Sequence, residues 1–132
     1  MGRVLALDYG SVRVGVAVSD PLRITAQPFD VIPLEEIEER LPSIVQDVDE
    51  IIVGLPKSLD GSEGPSAEAA RSFAKRVHDL VGIPVRLVDE RFTTVGAQNV
   101  LLEGGVRRSR RKRVVDKVAA TLLLEGYLGK GT

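Results

Sequence analysis

Val4-Leu5-Ala6-Leu7-Asp8-Tyr9-Gly10-Ser11 is the stretch whose reading decides the fold. Four consecutive apolar residues read as a strand covered on both faces, as inside an α/β sheet. A carboxylate closes that strand at its carboxyl end, where open α/β sheets carry their chemistry. Half-burying such a charge is costly unless a cation meets it. Asp8 is therefore the first candidate functional residue, against the simpler reading that it begins a turn. A second strand, Arg13 to Ser19, follows so closely that a tight hairpin is expected, with Gly10 supplying the sharp turn.

Beyond the hairpin the chain alternates. Ile24 to Ile32 reads as a third extended segment despite Pro28. Leu34 to Val48 has a helical pattern that Pro42 should kink or split. Ile51-Ile52-Val53 is a short buried strand ended by Gly54-Leu55-Pro56, and residues 57–64 form a polar loop. Pro65 suits the first turn of a helix whose apolar stripe is Ala67, Ala70, Phe73, Ala74, Val77, Leu80 and Val81. Gly82 stops that helix, and Val85 to Glu90 is the next strand. A further helix is capped by Thr93 or Thr94 and runs to Glu103. The last helix runs from about Lys112 to Leu128. Three early strands followed by β-α-β-α-α predict an α/β fold, a mixed sheet with helices on both faces.

At 132 residues the chain fits one domain, residues 1–132, with room for a full core. The absence of cysteine excludes disulfides, zinc-thiolate sites and cysteine nucleophiles, and suits a cytoplasmic protein. No apolar stretch approaches the roughly 20 residues needed to span a bilayer, so no membrane association is expected. The net charge of −1 conceals an asymmetry. Arg107, Arg108, Arg110, Arg111, Lys112 and Arg113 take six of the 18 basic residues, leaving 12 against 19 acids elsewhere. An acidic body with one dense cationic segment is a footprint of a polyanion partner; the plain alternative is a solvated helix start.

Asp116 precedes Ala119, Ala120 and Leu123 at helical spacing, so it borders the buried stripe formed by Val115, Val118, Ala119, Leu122 and Leu123. A salt bridge to Arg113 or Lys112 would be its ordinary role. A third acid comes from Asp89-Glu90-Arg91. Alternation puts Val85, Leu87 and Asp89 on one face and Arg86, Val88 and Glu90 on the other, and periodicity leaves open which acid faces a common site. The single histidine, His78, reads as a surface residue, and no histidine neighbours Ser11, Ser58 or Ser62 to activate them. Carboxylates from separate elements suit hard, oxygen-ligated cations, Mg²⁺ or Mn²⁺. Two-metal phosphodiester hydrolysis uses such a set, and the basic segment would attract the phosphate backbone.

These stretches together resemble the YqgF family of Holliday-junction-resolvase-like proteins, which are also described as candidate pre-16S rRNA nucleases. The matching residues are Leu7-Asp8-Tyr9-Gly10 with Arg13-Val14-Gly15-Val16-Ala17-Val18-Ser19-Asp20, and Val53-Gly54-Leu55-Pro56 with Asp60-Gly61. Asp89-Glu90-Arg91-Phe92-Thr93-Thr94 and Asp116 with Ala119-Ala120 complete them. The resemblance implies an RNase H-like fold with a five-stranded mixed sheet whose first three strands are antiparallel. It also implies a metal-dependent nuclease site built from Asp8, Glu90 and Asp116, with Glu90 rather than Asp89 as the site acid. Ala119 stands where related resolvases often carry a fourth acid.

The activity so implied is endonucleolytic cleavage of structured nucleic acid, as in 5′-end processing of pre-16S rRNA during ribosome biogenesis. Resolution of branched DNA in recombination and repair is the alternative activity, and a non-catalytic nucleic-acid-binding module is the alternative class. Asp8-x-Gly10 with Gly15 also resembles the phosphate loop of actin-like and sugar-kinase ATPases, but those need two such domains closing over a nucleotide. With no Trp, three Phe and two Tyr, base stacking has little to build on, so recognition through backbone and shape is expected. The protein is expected to act as a monomer or weak homodimer.

Overall fold

The computed structural model describes residues 2–57, 60–90 and 108–130, and within the last of these the side chains of 118–129. Strands β1 (Arg3–Tyr9), β2 (Arg13–Ser19) and β3 (Ala26–Pro33) come first. A 3₁₀ turn (Leu34–Glu36), helix α1 (Ile37–Ile44), β4 (Val48–Leu55), α2 (Pro65–Val81), β5 (Val85–Asp89) and α3 (Arg108–Lys130) follow. The five strands form one sheet in the order β3-β2-β1-β4-β5. β1–β2 and β2–β3 are antiparallel, whereas β1–β4 and β4–β5 are parallel.

Alternation along each strand sorts its side chains into two cores. Leu5, Leu7, Ile51, Val53 and Leu55 point with Val14 and Val16 into the layer under α1 and α2, where Leu41, Phe73 and Val77 are buried. Val4, Ala6, Ala17 and Ile52 point the other way, against Ala119, Ala120, Leu123 and Leu124 of α3. Each large aliphatic side chain sealed in this way contributes on the order of 1.5–3 kcal/mol. Helices thus cover both faces, as expected, and none among the described residues is long and apolar enough to cross a membrane.

Several boundaries differ from the sequence reading. The helical segment breaks between Glu36 and Ile37, where 3₁₀ gives way to α, and Pro42 lies inside α1. Pro42 removes one intrahelical hydrogen bond, and the helix stops two residues later. Val48 opens β4 and does not end the helix, because it pairs with Arg3 of β1. Gly54 and Leu55 belong to β4, which extends past Val53 and pairs with Val88 and Asp89. α3 begins at Arg108, so Arg108, Arg110, Arg111, Lys112 and Arg113 form its first turns instead of preceding it.

The buried stripe of α3 contains Ala120 and Leu124 in addition to Ala119 and Leu123, while Leu122 is only partly covered. α2 has its expected start at Pro65 and stop at Gly82, whose φ of 70° closes the helix in the left-handed region. The expected helix from Thr93 or Thr94 to Glu103, and Arg107, lie outside the described residues.

Candidate active site

The site grows from the carboxyl ends of the parallel strands. β1 carries Asp8 one residue before its end, and β4 ends beside it. Asp8 pairs with Gly15 of β2, and on its other side the Leu7–Val53 pair brings it level with Gly54. It shares the α3 face with Val4 and Ala6, whereas Leu5 and Leu7 face α2. The hairpin is tight because Gly10 lies close to the chain beyond it. A Cβ there would stand 2.7 Å from the Arg13 carbonyl oxygen. Close backbone approach, and not a left-handed turn, is therefore what Gly10 provides.

β5 settles the phase that the sequence left open. Val85 and Leu87 pack with the α2 core and Val88 with the α3 core. Glu90, two residues beyond Val88, continues the α3 face and reaches Asp8, and the two carboxyl groups share a hydrogen bond. Burial pushes the Glu90 carboxyl above its ordinary range, the hydrogen bond with Asp8 partly opposes this, and the neighbouring Asp89 charge adds to it. A hydrogen bond between two carboxyl groups needs a proton between them, the hallmark of acids gathered against their charge preference.

Asp8 and Glu90 line an open cleft of about 450 Å³ with Gly10, Ser11, Pro56 and Ser66. Tyr9 forms part of its wall and meets the Phe73 ring at 4.7 Å, tying the end of β1 to α2 beneath the cleft. Lys57, one residue past the cleft-lining Pro56, is held 3.8 Å from Glu63, which Arg71 also grips at 2.7 Å.

The donor chemistry fits a hard divalent cation: a carboxylate on β1 and one just past the end of β5 converge where oxygen ligands are wanted. Asp116 lies on α3, the helix that covers this face. Its side chain is outside the described ones, as are those of Arg108, Arg110, Arg111, Lys112 and Arg113. Among the described residues no group of three or more potential metal ligands is assembled. These residues therefore supply two of the three expected donors. His78 is exposed, with a ring nitrogen 3.1 Å from the Ile83 carbonyl oxygen just past the end of α2, whereas the first residues of that helix, Pro65 and Ser66, line the cleft.

The sequence reading names Gly15 and Gly54 within motifs but does not place them on either side of Asp8, as the strand pairing does. Counting alternation through Ile52 would have put Gly54 on the face of the acids.

The family described as "RuvX: Holliday junction resolvase" matches residues 2–130. The chain belongs to this family. Its relatives include a Streptococcus sanguinis protein named "Putative pre-16S rRNA nuclease", 44% identical over 136 residues that cover 97% of this chain and 98% of that protein. A Halothermothrix orenii protein of the same name is 48% identical over 131 residues, covering 96% and 94%.

Among solved structures, the T. thermophilus RuvC in complex with Holliday junction substrate superposes with a TM-score of 0.54 at 14% identity, over 100% of this chain and 98% of that one. The fowlpox virus Holliday junction resolvase gives 0.51 at 12% identity, over 97% and 99%. At such identities the likeness concerns the fold alone, and that fold is the RNase H-like one expected from the sequence.

Proposed function

We propose that this chain is a metal-dependent endonuclease that hydrolyses phosphodiester bonds in structured nucleic acid. Its expected task is processing the 5′ end of pre-16S rRNA during ribosome biogenesis in the cytoplasm, as a monomer or weak homodimer. The observation that carries this reading is the Asp8–Glu90 carboxyl pair, facing an open cleft at the carboxyl ends of the central strands. Asp8 and Glu90, joined by Asp116 from α3, would hold Mg²⁺ or Mn²⁺ through carboxylate oxygens. A hard cation bound there supplies Lewis-acid activation of water and charge stabilisation at the leaving oxygen.

The chain's own residues do the rest. The acids repel a phosphodiester until their charge is neutralised, and the cationic run Arg107–Arg113 draws the backbone in without reading sequence. The names carried by relatives at 44–48% identity support rRNA as substrate. The family description favours a second reading, resolution of four-way DNA junctions.

A cleavage panel separates the readings: structured pre-16S rRNA fragments and four-way DNA junctions, each with Mg²⁺, Mn²⁺ or EDTA. Metal-dependent cleavage of the rRNA fragments is expected. Cleavage of junctions alone would favour the second reading, and binding without cleavage in any metal would make the chain a binding module.

A further inference from the structure

Gly54 lies on β4, between the strand that carries Asp8 and the strand after which Glu90 follows. Leu7 pairs with Val53, and Gly54 with Val88, so Asp8, Gly54 and Val88 stand level in the sheet, and Glu90 follows two residues beyond Val88 with its side chain turned back over Gly54. The strands that lead to the two acids, β1 and β5, are two strand spacings apart, about 9–10 Å. Any side chain on the middle strand would stand between them.

A Cβ at Gly54 would overlap Oε1 of Glu90, and the next nearest atoms are Cδ at 3.0 Å and Cγ at 3.1 Å of the same side chain. All three belong to Glu90 and none to the backbone. Nor is glycine needed for its conformational freedom, since the φ of Gly54 lies outside the left-handed region. A buried central strand is otherwise a poor place for glycine, which packs nothing and orders at high entropic cost.

We propose that Gly54 is a positioning residue: its missing side chain is the berth in which the Glu90 carboxyl group lies against Asp8, and so sets the spacing of the oxygen donors offered to a divalent cation. This rests on the metal-dependent reading above. The atoms that must move when the berth is filled are the far end of one flexible side chain. Filling it therefore leaves the framework intact and displaces the ligand.

The test is a double-mutant cycle of Gly54→Ala and Glu90→Ala on the full chain without nucleic acid, reading Mn²⁺ affinity by electron paramagnetic resonance and Tm in EDTA. Gly54→Ala should keep its Tm within about 3 °C of the parent. It should weaken Mn²⁺ binding by about tenfold or more, the scale on which misplacing a supporting group acts on a metal site. In the Glu90→Ala background the same change should have no further effect, because the atoms it displaces are gone. Parental Mn²⁺ affinity in Gly54→Ala, an equal loss in both backgrounds, or a collapsed Tm would each overturn the inference while leaving the nuclease reading standing. A parent protein that binds no Mn²⁺ would overturn both.

Discussion

Two carboxylates on the same face of the sheet, at opposite ends, live in opposite company. Glu50, near the start of β4 and with a side chain only 14% exposed, is surrounded by donors. The Tyr127 hydroxyl donates to it at 2.9 Å, Arg86 lies at 3.3 Å and Arg23 at 3.4 Å. Burial and the hydrogen bond to Glu50 hold the Tyr127 hydroxyl above its ordinary range. At the other end Glu90 meets Asp8, an acid, with Asp89 next to it.

The first arrangement pins the carboxyl-terminal part of α3 to the sheet. The second arrangement works against the stability of the metal-free fold. Satisfied charge is architecture, and charge gathered against its preference marks the working end.

The comparison is sharpest in rates. Glu90→Gln should lower single-turnover cleavage by about 10²-fold or more, whereas Asp89→Asn should change it only several-fold. Equal losses would mean that the strand's two faces do not divide the acids as described.

Stability should respond in the opposite sense at the two ends. Glu50→Ala takes the acceptor from the Tyr127 hydroxyl and removes the ion pairs to Arg23 and Arg86, and should cost about 1–3 kcal/mol in denaturant unfolding. Cleavage per folded molecule should stay unchanged. At Glu90 the folded-state carboxyl lies above its ordinary value of 4.5. Its contribution to stability is full below that value and is lost as the pH rises through the raised one. In EDTA, Glu90→Gln should therefore match the parent near pH 4 and outlast it near pH 8. A variant less stable than the parent at pH 8 would place Glu90 in the same class as Glu50.

The smallest effect concerns substrate capture. Changing Arg107, Arg108, Arg110 and Arg111 to Gln should flatten the plot of log affinity against log salt by roughly 0.7–0.9 for each phosphate that is no longer neutralised. The cleavage rate at saturating substrate should hold. An unchanged slope would make the run a solvated helix start.

Much of this was legible in the sequence because the signals are local. An apolar run closed by Asp8 marks a buried strand with a charge at its end, and Pro65 and Gly82 bracket a helix whose stripe repeats cleanly. Glu90 was not separable from Asp89 by alternation alone, since a strand's phase is ambiguous where the strand stops. Packing of Leu87 under α2 and of Val88 under α3 fixes it. Val48 misled because its spacing from Val45 and Leu41 suits a helix, while its pairing with Arg3 is a long-range fact. Gly54 reads as the end of a strand because an absent side chain leaves no periodic signal.

The central claim, that the acids at the carboxyl end form the working site, is tested most directly by Asp8→Asn. Its single-turnover cleavage of a structured pre-16S rRNA fragment in Mg²⁺ should be compared with the parent's, with RNA affinity measured alongside in EDTA. The substitution keeps the side chain's volume and removes its charge. The account predicts a rate lower by about 10²-fold or more with folding and RNA affinity retained; cleavage at the parental rate would contradict it.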